Sequence, residues 1–214
     1  MLARALCLLV GYLLGSLLAA DGVMRWRTGR SAFAVGSGNP GMANVGAVLG
    51  ARWAAVALAG DVGKTIVAVA LAWAACAVMP GGEGLRQAVL TCPDGIAFPW
   101  SGSLAAAYAG LGAVAGHDFS AFQGLRGGKG VAAGCAALVL FCPVWGGAAC
   151  LVGLTLVALT HRLDAASLVI VLVFLIEMAV CAAPTEVMAF AGALVALAAV
   201  TIARHARATA RRAR

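Results

Sequence analysis

The chain has 214 residues, 63% of them hydrophobic and only 11% charged, with a formal net charge of +7. So small a polar fraction cannot clothe so much apolar material in water, which excludes an ordinary soluble domain and points to an integral membrane protein. The excess of Lys and Arg sits in the breaks between apolar runs and at the C-terminal end. That is the distribution of a positive-inside topology, not of nucleic-acid binding, and at 7% aromatic content no stacking platform for bases is visible.

Residues 1–20 carry one charge, Arg4, and are long enough to cross a hydrocarbon core of about 30 Å as a helix. With no small-residue cleavage site before Asp21, this run is expected to be a retained span and not a signal peptide. Residues 21–52 form the most polar long stretch, holding Arg25, Arg27, Arg30 and Arg52 around GSGNPGMANVG from Gly36 to Gly46. Four arginines mark it as cytoplasmic and place the N-terminus outside. Its Gly, Asn, Pro and Ser content forbids a long regular helix and offers backbone and amide groups to a polar ligand, although a plain surface turn has the same composition.

Residues 53–79 read as a second span containing Asp61 and Lys64. Ionisable groups at that depth are costly; three apart on a helix they share a face, so they pair with each other or with a ligand. Gly63-Lys64-Thr65 resembles the end of a Walker A loop, but Leu58 stands where that loop needs glycine and no strand precedes it, which excludes the NTPase reading. An outer loop from Pro80 to about Pro99 leads to a third span ending near Ala115.

The most informative stretch follows, GHDFSAFQGLRGGKG from Gly116 to Gly130. Backbone that leaves a helix beside a bilayer needs its N–H and C=O groups met by protein, water or ligand. Gly127, Gly128 and Gly130 have no Cβ and can take positive φ, which lets successive N–H groups point at an anion, with Arg126 and Lys129 supplying charge. The expected guest is a phosphate; a basic loop that merely orients the protein is the competing reading. Residues 131–160 are broken at Cys142-Pro143 and suit two short crossings. His161, Arg162 and Asp164 form a polar break at 161–164. Residues 165–183, with Glu177 inside, and 187–203 are the sixth and seventh spans, and 204–214 is a basic tail. Seven spans put every polar motif on one side of the membrane, as parts of one site in a single all-α membrane domain covering residues 1–214. The seven cysteines include no C-x-x-C pair and read mostly as small packing residues, while Cys76 and Cys92 flank the outer loop at a spacing that leaves a bridge open. No metal or other cofactor is expected.

GSGNPGMAN from Gly36, GHDFSAFQGLRGGKG from Gly116 and Arg204-His205 after the last span together resemble the motifs of the bacterial acyl-phosphate:glycerol-3-phosphate acyltransferases, the PlsY family. The resemblance covers essentially the whole chain. It implies a multi-pass enzyme of the bacterial inner membrane, N-terminus outside and C-terminus cytoplasmic, in which an acyl chain moves from acyl phosphate to the 1-hydroxyl of glycerol 3-phosphate, giving lysophosphatidate and phosphate. By the same resemblance Ser37, Lys129 and His205 are the catalytic candidates. Gly38, Asn39, Gly41, Asn44, Asp61, Lys64, His117, Gly127, Gly128, Gly130 and Ser167 are the substrate-binding ones, with Ser167 expected on the loop before the sixth span; Phe119 and Phe122 also match. The implied partners are the two substrates and membrane lipid, with no nucleic acid. The chain departs from the family pattern at Met42-Ala43, at Ala47 where arginine is expected, at Asp164 where serine is expected, and at Ala208 where asparagine is expected. Arg162, Arg204, Arg207 or another nearby cation is expected to compensate.

The residues fit such chemistry on their own terms. Basic and glycine-rich groups bring two phosphate-bearing molecules together, and no protein nucleophile is needed for an already activated acyl group. The His-x4-Asp dyad of coenzyme-A-dependent acyl transfer is absent, since the positions five after His117, His161 and His205 are Phe122, Ala166 and Ala210. The alternatives are a divergent relative with another acceptor or no catalysis, and a small lipid or phosphate transporter. No repeat relates two halves of the chain, which disfavours the last.

Overall fold

The computed structural model describes residues 1–87, 102–181 and 183–212, the last six as backbone. It contains α1 (Leu2–Gly15), α2 (Ala19–Thr28), α3 (Met42–Leu49), α4 (Ala51–Val78), α5 (Glu83–Arg86), α6 (Leu104–Asp118), α7 (Val131–Phe141), α8 (Pro143–Thr160), α9 (Leu163–Val180) and α10 (Thr185–Arg212). Single 3-10 turns lie at Ala32–Ala34 and Ala121–Gln123, and there is no strand among the described residues. Leu2–Thr28, α4, α8, α9 and Thr185–Ala206 of α10 are each long and apolar enough to cross a membrane, and α7 is a shorter apolar helix. Together with α6 these are the seven spans expected from the sequence. Pro143, at the first position of α8, separates α7 from α8 as expected, since a proline there loses no helical hydrogen bond.

Three boundaries differ from the sequence expectation. The basic segment from Arg204 is not a separate tail, because α10 runs on through Arg212 in alanines and arginines that favour helix. His117 and Asp118 are the last residues of α6, so the irregular loop begins at Phe119. Ser167 lies in the first turns of α9 and not on the loop before it. The segment 21–52 is two short helices and a turn.

Between lipid-embedded helices there is little hydrophobic driving force, so packing depends on how closely backbones approach. Gly11 and Gly15 of α1 face the backbone of Ala109 and Ala113 of α6, and Gly112 and Gly116 of α6 face the backbone of α1 around Leu8, Tyr12 and Gly15. A Cβ at any of the four would overlap backbone atoms. Two interlocked G-x-x-x-G faces thus hold the end of α6, where the loop begins, against the end of α1. On the other side of α6, Phe141, Phe174 and Phe190 form an aromatic knot with centroids 5.1 to 6.2 Å apart, joining α7, α9 and α10. Cys7 and Cys76 bring their sulfurs to 3.4 Å where α1 meets α4. The Cys76–Cys92 bridge considered above lies outside the described residues.

Candidate active site

The glycine-rich loop rests on a buried polar base. α1 stops at Gly15 and α2 starts at Ala19, which frees carbonyls inside an otherwise continuous span. Lys64 donates to the Leu17 carbonyl at 2.8 Å, placing a cation at a helix C-terminus where the dipole favours it. Its Nζ is also 2.9 Å from Asp61 Oδ1 and 2.9 Å from His117 Nδ1. An ammonium group only donates, so Nδ1 of His117 accepts and the ring proton sits on Nε2. Asp61, Lys64 and His117 are 2%, 9% and 4% exposed. The i, i+3 pairing expected from sequence is therefore present, with His117 as a third member that local pattern could not supply.

Above this base the loop is tied down at many points. The Tyr12 hydroxyl donates to the Phe119 carbonyl at 2.8 Å, the Ser120 hydroxyl donates to the Ser16 carbonyl at 2.7 Å, and Ala121 N–H donates to Ser16 Oγ at 3.2 Å. Gly128 N–H folds back to the His117 carbonyl at 3.0 Å. From α10, Arg204 donates through Nη1 to the Asp118 carbonyl and through Nη2 to the Gly128 carbonyl at 3.0 Å, while its guanidinium stacks 4.6 Å from the centre of the Phe119 ring. One turn earlier, Thr201 donates to Asp118 Oδ2 at 2.7 Å.

The glycines of the loop serve two purposes, and one of the three takes positive φ. Gly130 has φ +64° and caps α7 at its N-terminus. Gly127 and Gly128 have ordinary φ and are glycine for space: a Cβ at 127 would overlap the carbonyls of His117 and Asp118, and one at 128 the His117 ring. Lys129, between Gly128 and Gly130, pairs with Asp164 at the start of α9, Nζ to Oδ1 2.6 Å.

The first motif is built around Asn44, which is buried in α3. Its Oδ1 accepts from Ser37 N–H at 2.9 Å, and its Nδ2 donates to the carbonyls of Val35 at 3.0 Å and Ala32 at 3.2 Å. Gly36 (φ +59°) and Gly38 (φ +73°) turn the chain around Ser37, which is left exposed, and Gly41 caps α3. Asn39, half-buried, reaches His205 on α10, 3.2 Å from Oδ1 to Nε2. His205 Nδ1 is 2.9 Å from the Thr201 carbonyl, which can only accept, so Nδ1 carries a proton; Nε2 donates to Asn39 Oδ1 when the ring is doubly protonated and accepts only when the Asn39 amide is turned round.

These contacts chain four segments distant in sequence, namely 36–44 to 205, 201–204 to 118 and 128, 129 to 164, and 164 to Ser167, whose hydroxyl donates to the Asp164 carbonyl at 2.8 Å. Beside them opens a narrow cleft with a cavity volume of about 30 Å³. Asp118, Lys129 and Ser167 are its polar lining residues, and Val114, Ile170 and Leu194 are among its apolar ones. Among the candidates read from sequence, Lys129, Gly130 and Ser167 line this cleft, Ser37, Gly38, Asn39 and Gly41 belong to the turn that meets His205 on α10, and Asn44, Asp61, Lys64, His117, Gly127 and Gly128 support these segments. Asp118 and Thr201 were not expected in the site, although Asp118 stands inside the motif and Thr201 shares a helical face with Arg204. Arg204 was expected among the cations available to a ligand's phosphate, whereas both of its arms are committed to the Asp118 and Gly128 carbonyls.

The family model described as glycerol-3-phosphate acyltransferase matches residues 5–214. The chain is 35% identical over 168 residues to glycerol-3-phosphate acyltransferase 1 of Lactobacillus johnsonii, across 78% of this chain and 70% of that one. It is 31% identical to the protein of the same name in Lactobacillus acidophilus, across 81% and 73%. The fold matches the crystal structure of PlsY (YgiH), an integral membrane glycerol 3-phosphate acyltransferase, in its glycerol 3-phosphate form, with a TM-score of 0.73 at 24% identity over 97% of this chain and 90% of that one. This chain therefore belongs to the glycerol-3-phosphate acyltransferase family and is a multi-pass membrane acyltransferase.

Proposed function

We propose that the chain moves an acyl group from acyl phosphate to the 1-hydroxyl of glycerol 3-phosphate at the inner face of a bacterial cell membrane, with the N-terminus outside and the C-terminus cytoplasmic. The observation that carries this reading is a cleft in which Lys129, Ser167 and the glycine-capped start of α7 share the lining with apolar side chains, close in chain to the Arg204 and Thr201 contacts that tie the loop to α10, whose His205 meets the serine–asparagine turn. A donor with an anionic head and a hydrocarbon tail has the same division. The unsatisfied N–H groups at the start of α7 and the Lys129 ammonium suit a phosphate, and the apolar walls suit an acyl chain.

In the reaction the 1-hydroxyl oxygen attacks the acyl carbon, the bond from that carbon to the bridging phosphate oxygen breaks, and phosphate leaves with the electron pair. The hydroxyl proton goes to a phosphate oxygen, or to Nε2 of His205 once the ring exchanges its Asn39 contact for the hydroxyl. Charge that gathers on the leaving phosphate is met by groups already fixed in place, which is where preorganised electrostatics lowers a barrier. Ser37, Gly38, Asn39 and Gly41 supply hydroxyl, backbone and amide groups to the acceptor, and Ser167 a hydroxyl at the rim. Asn44, Asp61, Lys64, His117, Gly127 and Gly128 act on substrates only through the backbone they hold. The test is phosphate and lysophosphatidate release by purified protein supplied with acyl phosphate, with and without glycerol 3-phosphate. Release of both that requires the acceptor supports the reading; hydrolysis independent of it, or no turnover, overturns it.

A further inference from the structure

The Lys129–Asp164 pair is the feature of the cleft that this function does not use. Lys129 is the loop's cation at the mouth of the cleft, and its 2.6 Å contact is with a carboxylate of the protein itself. The two partners are held unequally. Lys129, 23% exposed, rises from a backbone that Arg204 and His117 fix at Gly128. Asp164 is 48% exposed and is the second residue of α9, where the helix N-terminus favours its negative charge even without a partner. The Oδ1 that meets Lys129 is covered in the pair, but the side chain as a whole is half exposed and can turn into water, while the ammonium group stays.

We propose that Asp164 is an acidic competitor that sets the affinity of the cleft for phosphate: its carboxylate occupies Lys129 in the empty site, yields it to an incoming phosphate, and reclaims it as phosphate departs. The inference rests on the reading of the cleft given above. Every anion that needs Lys129 is weakened by the same factor, the equilibrium constant of the internal pair. A doubly charged phosphate also meets residual repulsion from the displaced carboxylate. An ion pair this open to water corresponds to a few-fold effect, and repulsion adds to it, so removal of the carboxylate tightens phosphate by about threefold to tenfold. The benefit lies in turnover, because inorganic phosphate is a product and a bare lysine in a glycine cradle would retain it.

The experiment is calorimetric titration of inorganic phosphate into the full chain in detergent, for wild type, Asp164→Asn, Lys129→Met and the double variant, with the KM for glycerol 3-phosphate and inhibition by phosphate measured alongside. Asp164→Asn is expected to lower the phosphate Kd and its inhibition constant about threefold to tenfold. Lys129→Met is expected to weaken binding, and the gain from Asp164→Asn is expected to shrink in its background. Asp164→Ser, which keeps a polar group in the first turn of α9, must change affinity in the same direction. If Lys129→Met weakens phosphate but Asp164→Asn leaves it unchanged or weaker, Asp164 supports the ligand and the inference is overturned. If Lys129→Met has no effect, the reading of the cleft fails first, and the inference with it.

Discussion

Arg204 offers the sharpest test of how the loop is held. Replacing it with alanine removes two hydrogen bonds from a charged donor, to the Asp118 and Gly128 carbonyls, and the stacking on Phe119. Hydrogen bonds to charged groups are worth about 1.5–3 kcal/mol each, and cation–π stacking adds about 0.5–1 kcal/mol at a partly exposed site. The site is half-buried and water recovers part of that, so the net loss of loop order is about 2–4 kcal/mol. A tenfold change in a population corresponds to about 1.4 kcal/mol, so kcat/KM is expected to fall by about 30- to 1000-fold if the ordered loop is the competent one. The interlocked glycines of α1 and α6 do not depend on Arg204, so the melting temperature in detergent is expected to move little. The loop itself carries the readout, because trypsin cuts after Arg126 and Lys129 and an unpinned loop is expected to be cleaved there. Arg204→Lys is expected to behave like alanine, since one ammonium cannot span two carbonyls as the planar guanidinium does. An alanine variant with unchanged kcat/KM and unchanged tryptic resistance would refute the reasoning.

Other substitutions check the rest of the construction. Gly128→Ala drives a Cβ into the His117 ring and is expected to cost about fivefold to 150-fold in kcat/KM, from overpacking worth about 1–3 kcal/mol; Gly124→Asn, at φ +60° with open space around it, is expected to be close to neutral in the same assay. Cysteines introduced at Gly82 and Thr209 are expected to label from opposite sides of the membrane, and labelling of both from one side would break the seven-span topology. Ala47 is exposed on α3 one turn beyond Asn44, so Ala47→Arg is expected to lower the KM for glycerol 3-phosphate about tenfold, one charge-assisted contact of about 1.5 kcal/mol. No change in KM would mean that a cation other than Arg204 already meets that phosphate.

The spans were legible because a bilayer demands long apolar runs, and even the short α7 was visible through Pro143. The residue types of the site were legible as well, since glycine, asparagine, serine and lysine in a break between spans have few other reasons to be there. What local pattern does not carry is the choice of partner. Asn39 and His205 are 166 positions apart, and Arg204 and Asp118 are 86 apart. Glycine is ambiguous in the same way, because one letter stands for a left-handed turn at Gly130 and for close approach at Gly127 and Gly128. The end of α10 was misplaced because hydropathy falls at Arg204 while helix propensity does not. The paired G-x-x-x-G motifs at Gly11–Gly15 and Gly112–Gly116 were present to be read and would have located the contact of α1 with α6.

The charged groups of the site divide by depth, and the division explains why both kinds are needed. Asp61, Lys64 and His117 lie where an unpaired charge is expensive, so each is stable only while the others are in place, and together they form a base with one arrangement. Lys129, Asp164 and Ser37 lie where water can replace any partner, so each can exchange a protein contact for a ligand at small cost. A cleft made only of the first kind would be rigid but closed to substrates. One made only of the second would have to order its donors again in every cycle, and would lose the advantage of dipoles fixed before charge develops. Arg204 and Asp118 join the two layers, because they fix the backbone at both ends of the loop that carries Lys129 while leaving the lysine itself at the mouth of the cleft.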